Sequence, residues 1–140
     1  MYMPSILGLA ALASTALGVT VSYDRGFDDP SRSLEYVSCS NGEHGLITRY
    51  HWQTQGQIPC FPRIGGAQAV SGWNSAACGT CWRLTYNNRS VTILAIDRSV
   101  NGFNIGLEAF DHLTGGRGEE VGRVEAQVTQ VDVKECSLPF

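Results

Sequence analysis

Two kinds of residue in this chain have types and spacing that could do chemistry. One is the thiol pair of Cys78-Gly79-Thr80-Cys81, set between Trp73 and Trp82; the other is a single carboxylate, Asp97, directly after the apolar run Val91 to Ile96. A Cys-x-x-Cys serves zinc binding or thiol redox chemistry in a reducing compartment, and structural disulfides in an exported chain. A redox centre would open a helix after a buried strand, whereas this pair runs into the strand-like Trp82 to Tyr86. A structural zinc site wants a second close Cys or His pair. His44, His51 and His112 have no such spacing and read as surface residues, so neither metal nor cofactor is expected. With five cysteines (Cys39, Cys60, Cys78, Cys81 and Cys136), two disulfides and one leftover thiol is the reading that remains, and spacing alone does not choose the partners.

A carboxylate at a strand end can face a groove, and Asp97 is therefore the leading candidate for a polar-ligand site. It could equally act as a local cap or pair with Arg98. Pyranose rings offer apolar faces and dense hydroxyls, so saccharide sites combine aromatic platforms with carboxylate, amide and guanidinium partners. Tyr23, Asp24, Trp73 and Asn74 are the next candidates by type. Trp73, beside two cysteines, suits the core better than a platform; Trp82 suits it better still, and Trp52 is open. Glycoside hydrolysis would need a second carboxyl, roughly 5 to 9.5 Å from the first. Asp24, Glu108 and Asp111 are conceivable, but no hydrolase motif surrounds them, so the chain reads as a non-enzyme with weak hydrolysis as the alternative. Nine of the 10 cationic residues are Arg, with Lys134 the single Lys, a bias suited to bidentate recognition of polar ligands.

These residues need a scaffold. Thr20-Val21-Ser22-Tyr23 alternates as a strand, and Ile47 to Trp52 is a weaker strand candidate. Trp82 to Tyr86, the turn Asn87 to Ser90, and Val91 to Asp97 predict a β-hairpin. Gly65 to Val70 could begin a short helix. Gly106 to Leu113 predicts another, with Leu107, Phe110 and Leu113 on one stripe and Gly115-Gly116 as its stop. Val124, Ala126 and Val128 alternate, then Val131 and Val133 fall on the other parity, which predicts a bulge at Thr129-Gln130. Short strands with two small helices favour a mainly β, closed barrel.

The first residues place the chain. Ile6 to Leu17 is uncharged and apolar, too short to span a bilayer comfortably, and Ala16-Leu17-Gly18 fits small-x-small cleavage. Residues 1–18 therefore read as a signal peptide and 19–140 as one domain, secreted to the extracellular space or cell wall, with no later membrane span. A buried first helix or an uncleaved anchor fits the cysteines less well. The net charge of −3, without a basic run, gives no footprint for nucleic acid. Asn88-Arg89-Ser90 is a glycosylation sequon at the hairpin turn.

Several separate motifs resemble one family. Val21-Ser22-Tyr23-Asp24, Leu34-x-x-Val37-x-Cys39-Ser40-Asn41-Gly42 and Phe61-Pro62-x-Ile64-Gly65-Gly66-Ala67 come first. Gly72-Trp73-Asn74-Ser75-x-x-Cys78-Gly79-Thr80-Cys81-Trp82, Leu94-Ala95-Ile96-Asp97, Gly102-Phe103-Asn104-Ile105 and the Gln130-Val131 to Cys136 tail follow in order. Together they resemble the cerato-platanins across the whole mature chain. The resemblance implies a small secreted fungal protein with a six-stranded double-psi β-barrel related to that of expansins. It also implies binding of chitin or N-acetylglucosamine oligosaccharides, with cellulose a further candidate, loosening of polysaccharide, and perception by a plant receptor as an elicitor of defence. It pairs Cys39 with Cys78 and Cys81 with Cys136, marks Asp97 as the acidic residue shared with expansin-like barrels, and adds Asn104 as a ligand contact. Loops of roughly 40 to 55 residues closed by such bridges would each contribute about 4 kcal/mol. Cys60 departs from the family pattern and leaves a free thiol, buried and inert or linking a homodimer. Self-assembly at surfaces, with incidental sugar binding, is the alternative function.

Overall fold

The computed structural model describes residues 18–140. The leader expected at the start of the chain lies, but for Gly18, outside the described residues.

Asn87 and Asn88 make the sharpest local decision in the fold. Both hold positive φ, 47° and 65°, which Asn tolerates better than other side-chain-bearing residues and which a two-residue hairpin turn requires. Strands β3 (Cys81–Tyr86) and β4 (Arg89–Arg98) leave this turn in continuous antiparallel register, from Tyr86 opposite Arg89 to Cys81 opposite Leu94. The predicted hairpin forms, with a turn two residues shorter than expected because Arg89 and Ser90 already belong to the return strand.

Four more strands complete the wall: β1 (Val19–Tyr23), β2 (Ile64–Ala67), β5 (Phe103–Ile105) and β6 (Arg123–Val131). They close in the order β1-β5-β2-β4-β3-β6, with β1–β5 and β2–β4 parallel and the other pairings antiparallel. The result is a closed, six-stranded mixed barrel, the closure that the sequence predicts and the strand number that the resemblance implies. Closure removes exposed sheet edges. Its interior is filled by Val21, Leu84, Ile93, Ile105 and Ala126, which share one face across the paired strands and are fully buried.

Three expected elements are corrected. Gly65 to Val70 is not a helix; Ile64–Ala67 is strand β2. A Cβ on Gly65 would lie 2.5 Å from the Asn104 carbonyl, and one on Gly66 2.8 Å from that of Arg98, so the glycines serve close strand packing. Ile47 to Trp52 is not a strand. Leu46–Tyr50 forms helix α1, because Leu46 is buried and the Leu46 and Ile47 amides donate to the Cys39 and Ser40 carbonyls; His51, at φ 64°, stops it. There is no bulge at Thr129-Gln130, where β6 pairs with β3 without interruption from Gln127 to Val131. Val131 and Val133 change parity because the chain runs past β1 there and packs around the buried Cys136.

The bulge lies in β4 instead. Gly65 pairs with Ala95 but Gly66 pairs with Asp97, which leaves Ile96 as an extra residue and re-aims everything after it. The strand also buries four consecutive residues, Ile93 to Ile96, so both of its faces are covered there.

Helix α2 (Leu107–Thr114) seals one side of the barrel with Ala109, Phe110 and Leu113; Leu107 is half-buried. Gly106 has no side chain to cap it, and Asp28 takes over, accepting from the Leu107 amide at 2.6 Å and the Glu108 amide at 3.1 Å. Gly115, at φ 71°, ends it as predicted. A short helix α3 (Gly118–Val121) follows. Disulfides join Cys39 to Cys78 and Cys81 to Cys136, as the resemblance implied, across sequence separations of 39 and 55. Among the described residues no helix is long and apolar enough to cross a membrane.

Candidate functional site

One rung of the barrel wall gathers the polar candidates. Asp97 on β4 pairs with Gly66 on β2, Gly66 with Asn104 on β5, Asn104 with Ser22 on β1, and Ser22 with Arg123 on β6. Directly paired residues point to the same face of a sheet. Strands lie about 4.8 Å apart, so Asp97 and Asn104 stand about 10 Å from each other across the bare backbone of Gly66. Val21, one residue earlier than Ser22, is fully buried, so the rung faces outward. The alternation of Thr20 to Tyr23 thus sets which residues the site receives.

Beside this rung lies an open groove of about 340 Å³ over Ser22, Asn104 and Arg123, walled by Arg98 and the loop residues Ser99, Val100 and Asn101. The Ser22 hydroxyl donates to Asn104 Oδ1 at 3.1 Å. The loop is held by paired bonds between Gln68 and Gly102, each 2.8 Å. Gly102, at φ 56°, is required there, because a Cβ would fall 2.0 Å from the Thr20 carbonyl oxygen. Val100 is 71% exposed, an apolar edge on a polar rim.

Asp97 sits at the end of the rung and is not one of the residues that line this groove. Its Oδ1 accepts from the Ser38 and Arg98 amides, both at 2.9 Å. It forms no ion pair with Arg98 among the described residues. The Cys39 amide donates to the Ile96 carbonyl at 3.1 Å, so the loop entering the Cys39–Cys78 bridge is stitched to β4 on both sides of Asp97.

That loop leads to Trp73 and Asn74. The Trp73 indole is 62% exposed, so it is no core residue; its Nε1 donates to Asn41 Oδ1 at 2.6 Å. Asn74, at φ 60°, accepts the His44 amide at 2.9 Å. From Ser38 to Asn41 is three residues, at most about 10 Å of chain, so this platform adjoins the Asp97 end of the rung. Trp82 is half-buried with its edge toward Phe103, ring centroids 5.7 Å apart, and Trp52 is half-buried and stacked on Tyr50 at 4.3 Å.

Tyr23 and Asp24 are placed differently. Tyr23 is half-buried with its ring 5.5 Å from Phe110, and Asp24 caps the Gly26 amide at 2.8 Å. Glu108 and Asp111 line a second cavity of about 330 Å³ with Arg25, Asp28 and Leu107, sharing no residue with the groove. Asp111 is engaged by the Gly118 amide at 2.7 Å. No carboxylate lines the groove itself.

Cys60 is unbonded and half-buried; burial pushes its thiol up to about 11, and its Sγ lies 3.5 Å from the Arg63 carbonyl oxygen. Asn88 is exposed at the hairpin tip, His51 and His112 are exposed, and His44 is half-buried. Sequence reasoning missed Ser22, Arg98, Ser99, Val100, Asn101 and Arg123. The outward parity of Ser22 was available from its strand pattern, whereas nothing local marks Arg123.

Fold and groove together define a disulfide-braced, closed six-stranded β-barrel protein with an open polar groove on its wall. The cerato-platanin family model matches residues 19–138. The chain is 45% identical over 125 residues to the allergen Asp f 15 of Aspergillus fumigatus, which spans 89% of this chain and 81% of that protein. It resembles the crystal structure of cerato-platanin 1 from M. perniciosa with a TM-score of 0.81 and 45% identity, over 84% of this chain and 98% of that one. The solution structure of the fungal elicitor Cerato-Platanin gives a TM-score of 0.76 and 41% identity, over 84% of this chain and 96% of that one. The chain belongs to the cerato-platanin family. None of these relatives bears the name of an enzyme.

Proposed function

We propose that the protein is an exported, non-catalytic carbohydrate-binding protein that takes chitin-type oligosaccharides along the rung from Arg123 to Asp97. The observation that carries this reading is the placement of Asn104, Ser22 and Asp97 on one outward face, with Gly66 bare between them and the exposed Trp73 beyond. Amide and hydroxyl groups meet sugar hydroxyls, while Val100 and the Trp73 ring offer apolar surface to pyranose faces. A groove without carboxylates favours binding over hydrolysis, since acid–base cleavage needs two placed carboxyls. Adsorption without cleavage would separate polymer chains, an expansin-like loosening. The leader and both disulfides fit export. A solved relative is called a fungal elicitor, and recognition by a plant host would follow for this chain by the same surface.

The test is an NMR titration with N-acetylglucosamine oligomers. Shifts should cluster on Ser22, Asn101, Asn104, Arg123 and the Trp73 indole, and weaken in an Asn104→Ala variant. Shifts confined to another face, or none at millimolar oligomer, would overturn the reading, and steady release of reducing ends would overturn its non-catalytic part.

A further inference from the structure

The groove is electrostatically unlike the rest of the molecule. The chain carries a net charge of −3, yet the groove lining holds two arginines, Arg98 and Arg123, and no carboxylate. Most other arginines are used internally. Arg25, Arg83 and Arg117 pair with Glu119, Glu135 and Glu120. Arg49 and Arg89 donate to the Cys78 and His112 carbonyls at 3.1 and 2.8 Å, and Arg32 lies over the Phe27 ring at 5.6 Å. Arg63 is half-buried beside Cys60. Among the described residues, the two exposed guanidinium groups without an ion-pair or hydrogen-bond partner both line one cavity of about 340 Å³.

Two unpaired guanidinium forks around an amide and two hydroxyls make a site for a carboxylate carried on a sugar. Arginine matches a carboxylate with two parallel N–H donors, and Asn104, Ser22 and Ser99 supply partners for ring hydroxyls. We propose that the groove selects acidic saccharides, oligomers of uronic acid, over neutral ones of equal length. The acidic residues closest in sequence to the two arginines lie outside the lining: Glu125 accepts from the Thr20 hydroxyl at 2.9 Å, and Asp97 accepts from the Ser38 and Arg98 amides. This inference rests on the groove being the saccharide site.

The test is calorimetric titration of the full mature protein with four probes: an oligogalacturonate, its methyl ester, an N-acetylglucosamine oligomer of equal length, and inorganic sulfate. The free acid should bind about tenfold more tightly than its ester, and added salt should weaken the acid alone. Arg98→Gln and Arg123→Gln should each cost the acid about fivefold and cost the ester less, narrowing the ratio between the two. Equal binding of acid and ester, or sulfate binding as tightly as the oligomer, would overturn the proposal. If the neutral oligomers bind at Asn104 while the acid shows no advantage, the saccharide groove stands and this selectivity falls. If no saccharide binds, both fall.

Discussion

Replacing Asp97 by alanine should loosen the protein before it touches any ligand. The carboxylate accepts two backbone hydrogen bonds of 2.9 Å, one from the half-buried Ser38 amide and one from the exposed Arg98 amide. Water can replace the second. The first is screened from solvent, and a buried amide left unpaired costs about 1–3 kcal/mol, more when its lost partner was charged. The expected loss for Asp97→Ala is therefore about 2–3 kcal/mol. Asp97→Asn keeps an acceptor at the same place and should cost about 1 kcal/mol or less. Because Cys39 remains tied to Cys78, the Ser38 segment stays near β4 and the damage is local. Denaturant unfolding with the disulfides intact measures the two losses, and amide exchange at Ser38 locates them. Alanine within about 0.5 kcal/mol of the wild type, with Ser38 still protected, would refute the reasoning. The asparagine variant is also the fair test of ligand contact, since it removes the charge and leaves the loop in place.

Trp73→Ala should shift stability by no more than about 0.5 kcal/mol, because the indole is exposed, while weakening N-acetylglucosamine oligomers several-fold by calorimetry. Phe110→Ala, beneath Tyr23 and fully buried, should cost about 3–5 kcal/mol in denaturant unfolding. Removing the Cys81–Cys136 bridge, which closes a separation of 55, should cost about 4 kcal/mol and lower Tm by about 15 °C in calorimetry. Cys60, raised from 9.0 to about 11 by burial, binds its proton more tightly folded than unfolded. Its contribution is complete below pH 9 and lost as pH rises toward 11, so the wild type should lose about 2–3 kcal/mol relative to Cys60→Ala over that window. At pH 8 the thiol should react slowly with alkylating reagents until denaturant is added, and non-reducing electrophoresis should show monomer.

Local chemistry made parts of the fold legible. Asn87-Asn88 admits positive φ, and the alternation of Thr20 to Tyr23 sets which faces are wet. The stripe of Phe110 and Leu113 with Gly115 behind it marks a helix and its end. Where the local signal and the tertiary environment disagreed, the environment won. Gly65-Gly66 is a strand because other backbones press within 3 Å of where side chains would be. Leu46–Tyr50 is a helix because its free amides meet the carbonyls of Cys39 and Ser40. Five of the candidate ligand residues were named from their types and Asn104 from the resemblance, but the structure divides them. Asp97 and Asn104 share a rung, Trp73 and Asn74 stand beside its end, and Tyr23 and Asp24 serve packing and capping.

By itself the sequence determined the hairpin, the cysteine inventory and, through its ordered motifs, the family and its barrel. Each of these is written in neighbouring residues or in a pattern along the chain. The groove is not. It is assembled from four strands whose order around the wall is not their order in the chain, so Ser22, Asn104 and Arg123 meet only after closure. The aim of Asp97 depends on one extra residue, Ile96, whose presence shows only against a partner strand. Side-chain types come from the sequence; register and partner, which turn types into a site, come from the closed sheet.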